Sequence, residues 1–281
     1  MAEGKLYICG TPIGNLQDIT YRAVETLQQV DLVAAEDTRR TKKLLNYYEI
    51  NTSLTSYHEH NASQKKEKLA VKLAAGQQLA LVSDAGMPGI SDPGYELVKL
   101  VREEGVKVIP IPGPTAMTSA LVVSGLPTDK FVFEGFLPRK KERKRYLRGL
   151  EEETRTMVFY ESAQRIVAAL EDIKEVLGNR KVAVCRELTK KFEEVIKGSV
   201  REVVREFELD PPKGEITLVV EGGQVSSQDN KQWRGLSILE HIKQEMEQGL
   251  TKKKAIKQVA KIRDLPKSEV YKIGTKIRVN K

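Results

Sequence analysis

Over the first 125 residues, short dense apolar runs alternate with amphipathic stretches. LYICG, DLVAA, QLALVS and VKVIPI have the length and composition of strands. DITYRAVETLQQV, ASQKKEKLAVKLAA and GYELVKLVREEG between and after them read as helices. In the last of these, Leu97, Leu100 and Val101 share one face, Asp92 and Pro93 precede it, and Gly105 stops it. Such alternation predicts a mainly parallel sheet covered by helices. After a break at GLPTDK (125–130) the pattern resumes with FVFEG, TMVFY, KVAVCRE and EITLVVEGG, with a helical AQRIVAALEDIKEVLG between the second and third. SVREVVREFEL is expected to be an additional strand or ribbon. The organisation expected is an α/β domain over 1–125, a second α/β domain over 126–222, a polar linker over 223–235 and a small helical domain over 236–281. In that last domain Ser237 and Glu240 have capping-box spacing, Thr251 is placed to cap KKKAIKQVAKIR, and KSEVYKIGTKIR forms a third helix.

Composition narrows the class. A chain of 281 residues with 40% hydrophobic content can build ordinary cores and favours two domains. Cys9 and Cys185, the two cysteines, sit in apolar runs and read as buried thiols, which excludes a disulfide framework. No Cys/His cluster has metal-ligand spacing. MAEGKLYICG is too short and polar for a signal peptide, and no apolar run reaches the roughly 18 residues of a membrane span, so a cytoplasmic protein with no membrane association is expected. The net charge is +8, and its distribution matters more than its size. Residues 251–281 hold eleven Lys or Arg against two acids, a balance of +9 that leaves −1 for the rest. A second patch, RKKERKRYLR (139–148), holds seven basic residues and one acid. Localised charge of one sign points to a polyanionic partner, against the plainer reading of two well-solvated surfaces. The basic helical tail suits a nucleic-acid-binding module, or else a dimerisation appendage.

Four loops adjoin the expected strands: GTPIGNL (10–16), SDAGMPGISDPG (83–94), PIPGPTA (110–116) and GEITL (214–218). Glycines there permit close backbone approach to a ligand, and prolines hold the loop shape. Ligands of open α/β sheets bind beyond the carboxyl ends of the strands. None of the loops matches GxGxxG, GxxxxGK[ST] or GxSxG, so dinucleotide, Walker-type and serine-hydrolase chemistry lack support. The residues alone indicate an α/β enzyme with an organic cofactor acting near RNA.

TPIGNLQDIT (11–20), AAEDTRRTKKLL (34–45), LVSDAGMPGISDPG (81–94), PGPTA (112–116), FEGFLP (133–138), FYES (159–162), RELTKKFEE (186–194) and KGEITLVVEG (213–222) are long, ordered motifs. With them the chain resembles, over roughly residues 5 to 275, the 16S ribosomal RNA cytidine 2′-O-methyltransferases of the small-subunit methyltransferase I type, within the tetrapyrrole methylase superfamily. Met87 departs from the SDAGTP of many members. The resemblance implies a two-domain class III methyltransferase fold with a small C-terminal helical domain, S-adenosylmethionine as cofactor in the cleft between the α/β domains, a homodimer, and methylation of C1402 of 16S rRNA in the small ribosomal subunit, with no DNA partner. The competing functions are methylation of a porphyrin-like ring and a non-catalytic RNA-binding assembly factor that kept the fold. The fold by itself does not separate them, but the basic tail favours RNA.

The resemblance further implies cofactor binding by Pro12 and Gly14 in the first loop, by Ser83, Asp84, Ala85, Gly86 and Met87 in the second, and by Gly113, Pro114, Thr115 and Ala116 in the third. Tyr160, Glu161, Ser162, Gly214, Glu215 and Ile216 would contribute from the second domain. Asp84 alternatively caps the following turn. Methyl transfer to a ribose hydroxyl needs a base and tight orientation. Glu36 and Asp37, with Arg39 as a phosphate contact, are the candidate catalytic residues, unless the three form an ion network that fixes the AEDTR turn. His58 and Glu161, the latter with Arg165 a turn later, are further candidates. Lys140, Lys141, Arg143, Lys144, Arg145, Lys252, Lys253, Lys254, Lys257, Lys261 and Arg263 are the expected RNA-phosphate contacts, or plain solubilising surface.

Overall fold

The computed structural model describes residues 3–223, 235–263, 265–275 and 277, without the side chain of Lys261. Most of the expected linker, 224–234, lies outside the described residues. The chain divides into two compact units, residues 1–223 and 224–281.

The first unit opens with β1 (Lys5–Cys9), α1 (Tyr21–Gln29), β2 (Leu32–Ala35), α2 (Thr38–Tyr47), β3 (Leu54–Ser56), α3 (Ala62–Ala74), β4 (Gln78–Val82), α4 (Tyr95–Glu103), β5 (Lys107–Ile111) and α5 (Ala116–Val123). The five strands form one sheet in the order β3-β2-β4-β1-β5, and every pairing is parallel. One face packs Ala23, Leu27 and Leu45 against Cys9, Val33, Ala80 and Val82. The other packs Leu69, Leu73, Leu97 and Val101 against Leu6, Ala34, Leu79 and Leu81. Burial on both faces is why LVAA and LALV are continuous apolar runs rather than alternating ones.

A second sheet follows, built from β6 (Phe131–Phe136), α6 (Lys140–Arg148), β7 (Thr156–Ser162), α7 (Ile166–Leu177), β8 (Lys181–Arg186), β9 (Glu194–Ser199), α8 (Val200–Leu209) and β10 (Glu215–Val220). Its order is β6-β7-β10-β8-β9. β6 and β7 are parallel, and β10 inserts antiparallel between β7 and β8. Helices α6, α7 and α8 cover one face. The other face packs Val158, Ala183, Cys185 and Val219 against Ala120 and Leu121 of α5. That helix therefore ties the second sheet to the first.

SVREVVREFEL is helical, not a strand or ribbon. Val200, Val203, Val204 and Phe207 are buried at helical spacing, and Ser199 with Glu202 completes a capping box. The period of burial outweighs the strand preference of the valines. The strand in that neighbourhood is β9, one segment earlier, on the sheet edge.

In the second unit, α9 (Ile238–Glu247), α10 (Lys252–Ile262) and α11 (Lys267–Gly274) enclose Ile242, Ala255, Ile256, Val259, Ala260 and Val270. The Ser237–Glu240 capping box forms as the spacing predicts. Among the described residues no helix is long and apolar enough to cross a membrane.

Phe207 is 2% exposed within the core of the second sheet. Phe207→Ala should cost about 3–5 kcal/mol through the cavity it leaves, read as a lower urea midpoint. An unchanged midpoint would contradict the packing of α8.

Candidate functional site

The loops after β1, β4 and β5 meet at the carboxyl edge of the first sheet. Thr11 and Gly86 form an isolated antiparallel bridge, with Thr11 N donating to Gly86 O (2.9 Å) and Gly86 N to Thr11 O (3.0 Å). The Thr11 hydroxyl also donates to the Ser83 carbonyl at 3.2 Å. Gly10 and Gly113 touch backbone to backbone: a Cβ on Gly10 would stand 2.7 Å from the Gly113 Cα and 2.7 Å from the Met87 sulfur. β1 and β4 are adjacent, while their connections run to β2 on one side and β5 on the other. This is the topological switch point at which open α/β sheets bind ligands.

A cleft of about 350 Å³ opens here between the two sheets. From the first sheet it is lined by Ile13, Glu36, Arg40, the Asp84–Met87 loop, Ile90, Ser91, Asp92 and Thr115–Met117. From the second sheet come Phe136, Tyr160–Ser162, Cys185, Leu188 and Gly214–Thr217. Of the residues expected to bind a cofactor, Asp84, Ala85, Gly86, Met87, Thr115, Ala116, Tyr160, Glu161, Ser162, Gly214, Glu215 and Ile216 line this cleft. Pro12, Gly14, Ser83, Gly113 and Pro114 do not. Ser83 is buried, with its hydroxyl directed to the Ala85 and Gly86 carbonyls. A Cβ on Gly14 would lie 2.6 Å from the Lys190 side chain, so its missing side chain makes room for the β8–β9 loop. The sequence reading missed Arg40, Asp92, Met117, Phe136 and Leu188 as lining residues, although Asp92 stands inside the quoted SDPG motif.

Carboxylates dominate the polar lining. Glu36 Oε2 accepts the Asp84 N–H (3.2 Å), and Asp84 Oδ1 accepts the Asp37 N–H (2.9 Å), so the ends of β2 and β4 are laced reciprocally. Asp84 Oδ2 also pairs with Arg40 at 3.3 Å. Asp84 thus joins two loops rather than capping its own turn. Burial, and then the negative charge of Glu36, raise Asp92 to about 6. Glu161 is 2% exposed, accepts the Ser162 N–H and pairs with Arg165 at 3.2 Å. The Cys185 thiol is pushed up to about 11 by burial and forms a neutral wall. Among the described residues no His/Cys/Asp/Glu group has the arrangement to hold a metal ion.

Several expected functional side chains are engaged elsewhere. Asp37 is the N-cap of α2, and its carboxylate binds the Arg39 N–H and guanidinium, which hold it down at about 2. Neither Asp37 nor Arg39 lines the cleft. Their ion pair fixes the AEDTR turn, and of the three catalytic candidates Glu36 alone faces inward. His58 is also outside the cleft, its ring beside Asn61. Arg143 is 6% exposed and bound to Asp172 and the Ala168 carbonyl, so it braces α6 on α7 and offers nothing to RNA. Lys144 pairs with Glu175 and Asp172. Arg263 is spent on the Leu236 and Ser237 carbonyls and His241, and Lys252 on the Ile277 carbonyl. Lys140, Lys141, Arg145, Lys253, Lys254 and Lys257 are exposed. The side chain of Lys261 lies outside the described residues.

A doubly covered parallel sheet, a mixed second sheet and a ligand-sized cleft at the switch point define a two-sheet α/β protein built around a small-molecule site. The chain belongs to the tetrapyrrole (corrin/porphyrin) methylase family, whose model matches residues 5–204. It is 49% identical over 273 residues to the ribosomal RNA small subunit methyltransferase I of Halalkalibacterium halodurans, covering 96% of this chain and 94% of the relative. The relative of the same name from Thermotoga maritima is 52% identical over 219 residues, 78% of this chain and 99% of that one. A solved cobalt precorrin-4 methyltransferase superposes with a TM-score of 0.60 over 77% of this chain and 94% of its own, at 18% identity. That likeness shows the fold and leaves the acceptor open.

Gly10→Ala forces its methyl group into the Gly113 backbone, so the first and third loops must separate. The variant should melt at a lower temperature, with a loss on the order of 1–3 kcal/mol, and should show raised hydrogen exchange at Thr11 and Gly86. Wild-type exchange there would contradict the close approach.

Proposed function

We propose that this enzyme transfers a methyl group from S-adenosylmethionine to the ribose 2′-hydroxyl of cytidine 1402 in 16S rRNA of the small ribosomal subunit. The observation that carries the reading is the character of the cleft. Its volume lies within the range of about 300–1,000 Å³ usual for small-molecule sites. Its walls combine apolar side chains (Ile13, Met87, Ile90, Met117, Leu188) with the carboxylates of Glu36, Asp84 and Asp92, against which Arg40 is the cation on the same side. A cofactor with an aromatic base at one end and cationic sulfonium and ammonium groups at the other matches that division. Asp84, Glu36 and the backbone of Ala85–Met87 would hold the charged part, and Met117, Tyr160 and the backbone of Gly214–Ile216 the adenosine. The cofactor supplies an electrophilic methyl group. The protein orients the acceptor against it and excludes water.

The named relatives support RNA as acceptor, and so does the surface charge. Lys140, Lys141 and Arg145 on α6 and Lys253, Lys254 and Lys257 on α10 are exposed cations suited to backbone phosphates. Arg39, Arg40, Lys42 and Lys43 on α2 form a further exposed basic set, and Arg40 reaches the cleft itself. The 224–281 unit acts as an accessory RNA-binding module. The Thermotoga relative is matched over 99% of its length by a stretch about as long as the first unit. A cytoplasmic homodimer completes the reading, and sedimentation at twice 31.6 kDa would test the dimer.

A tritiated-methyl assay offering assembled small subunits, free 16S rRNA and a uroporphyrinogen, followed by nucleoside analysis, should label 2′-O-methylcytidine in RNA. Label on the tetrapyrrole, or in no substrate, overturns the proposal. Truncation after Gly223 should leave a folded protein that still binds S-adenosylmethionine. The log–log salt slope of its RNA binding should fall by about 0.7 for each phosphate that the truncated protein no longer neutralises. An unchanged slope would assign the RNA phosphates to α2 and α6.

A further inference from the structure

On the edge-strand side of the first sheet lies a shallow groove of about 560 Å³ that shares no lining residue with the cleft. α2 contributes Thr38, Arg39 and Lys42, the end of β3 contributes Thr55 and Ser56, and α3 contributes Lys65. Among the described residues no carboxylate lines it. The Asp37 carboxylate binds Nε and Nη2 of Arg39 at 3.2 and 2.9 Å and balances that charge. The two lysines are not balanced. The side chain of Lys42 is exposed and makes no hydrogen bond or ion pair among the described residues. Lys65 is half-buried and has no carboxylate partner among them, whereas its neighbour Lys66 pairs with Glu96 at 3.1 Å.

The hydroxyls beside these lysines are set as donors. Lys65 Nζ donates to Thr55 Oγ1 at 2.7 Å, and Asn61 Nδ2 donates to Ser56 Oγ at 3.1 Å. Each oxygen therefore already accepts from the protein and keeps its own O–H to donate outward. Ammonium groups and hydroxyl donors without a competing carboxylate are complementary to an oxyanion.

The position of the groove gives that oxyanion a source. β3 runs parallel to β2 at the sheet edge, so both carboxyl ends open on the same side. Glu36, just after β2, lines the cleft, while Thr55 and Ser56 at the end of β3 line the groove. On α2, Arg39 lines the groove and the next residue, Arg40, lines the cleft. The first turn of α2 is thus a ridge common to both.

We propose that the groove holds a backbone phosphate of the RNA strand whose acceptor ribose enters the cleft, with Lys42 and Lys65 as the cations and Thr55 and Ser56 as hydroxyl donors. This rests on the RNA-methylation reading above. A free phosphate would be held weakly in so open a site, but a strand already engaged at the cleft presents its flanking phosphate at a high effective concentration. The contact reads no base, so it places the strand without selecting the nucleotide. It is made alike before and during methyl transfer, and its loss should therefore raise KM for RNA and leave kcat nearly unchanged.

The test compares wild type, the double variant Lys42→Gln/Lys65→Gln, its charge-conserving counterpart Lys42→Arg/Lys65→Arg, and Lys68→Gln, which removes one cation from an exposed position of α3 outside the groove. Binding of a short single-stranded oligocytidylate is measured across salt concentrations, methylation of assembled small subunits by steady-state kinetics, and S-adenosylmethionine affinity by calorimetry. The double Gln variant should bind the oligonucleotide about tenfold more weakly. Its log–log salt slope should be lower by about 0.7, the value of one phosphate on a single strand. KM for small subunits should rise about tenfold, with kcat and cofactor affinity within about threefold of wild type. The double Arg variant should keep most of the wild-type slope, and Lys68→Gln should match wild type. NMR amide shifts of Thr55 and Ser56 should move on adding oligocytidylate to wild type and stay still in the double Gln variant. An unchanged slope and KM in a folded double Gln variant, an equal loss in Lys68→Gln, or amide shifts produced by inorganic phosphate and not by the oligonucleotide would overturn the assignment while leaving RNA methylation intact. A wild-type protein that binds the cofactor but methylates no RNA would overturn the functional reading, and with it the placing of an acceptor strand here.

Discussion

The contact on which the rest depends is the meeting of three loops through bare backbone. Thr11 and Gly86 pair as a two-residue sheet, and Gly10 and Gly113 approach so closely that neither has room for a side chain. This brings the ends of β1, β4 and β5 within reach of one ligand. It also explains why glycines recur in loops that match no phosphate-binding pattern: they make room for one another as much as for a cofactor. Gly113 and Gly14 are cases in which a loop glycine makes room for another part of the same chain.

On that frame the carboxylates perform two kinds of work. Glu36 and Asp84 exchange side-chain acceptors for backbone donors across the β2 and β4 ends, so their charges are fixed by hydrogen bonds that also set the loop geometry. Their charges in turn bear on Asp92, whose carboxyl is raised by burial and then by the charge of Glu36. Structural lacing and electrostatic tuning of the cleft are therefore inseparable, because removing either acid alters both the wall and the field inside it. α5 contributes on the other side. It leaves the first sheet with Thr115 as its N-cap and packs on the second sheet, so the cleft walls are joined by one rigid helix.

Basic residues divide in the same manner. Neighbours on α6 differ entirely in role: Arg143 is buried against Asp172, while Arg145 stands in solvent. A buried pair of this kind is costly to break, since the surviving charge is left without solvent. In the second unit Arg263 closes the start of α9 through its carbonyls, while Lys253, Lys254 and Lys257 face outward from α10. A count of charges along the chain measures the field of a patch and does not say which of its members are available to a polyanion.

The amino-acid sequence by itself determined the parallel α/β half, the first of the three C-terminal helix caps and the position of the loops that meet at the cleft, because dense apolar runs, capping residues and Gly/Pro turns are local signals. It also carried the motifs that mark the family. The tertiary structure decided what local signals cannot carry. Whether SVREVVREFEL is helix or strand turned on which face is buried against the second sheet. Whether Asp37 and Arg39 reach the cleft turned on helix α2, whose N-cap takes the carboxylate, and the guanidinium with it. The raised carboxyl of Asp92 comes first from its burial and then from the charge of Glu36, 56 positions earlier in the chain, which only the fold brings near. Burial and long-range charge are properties of the assembled sheets, and no spacing along the chain encodes them.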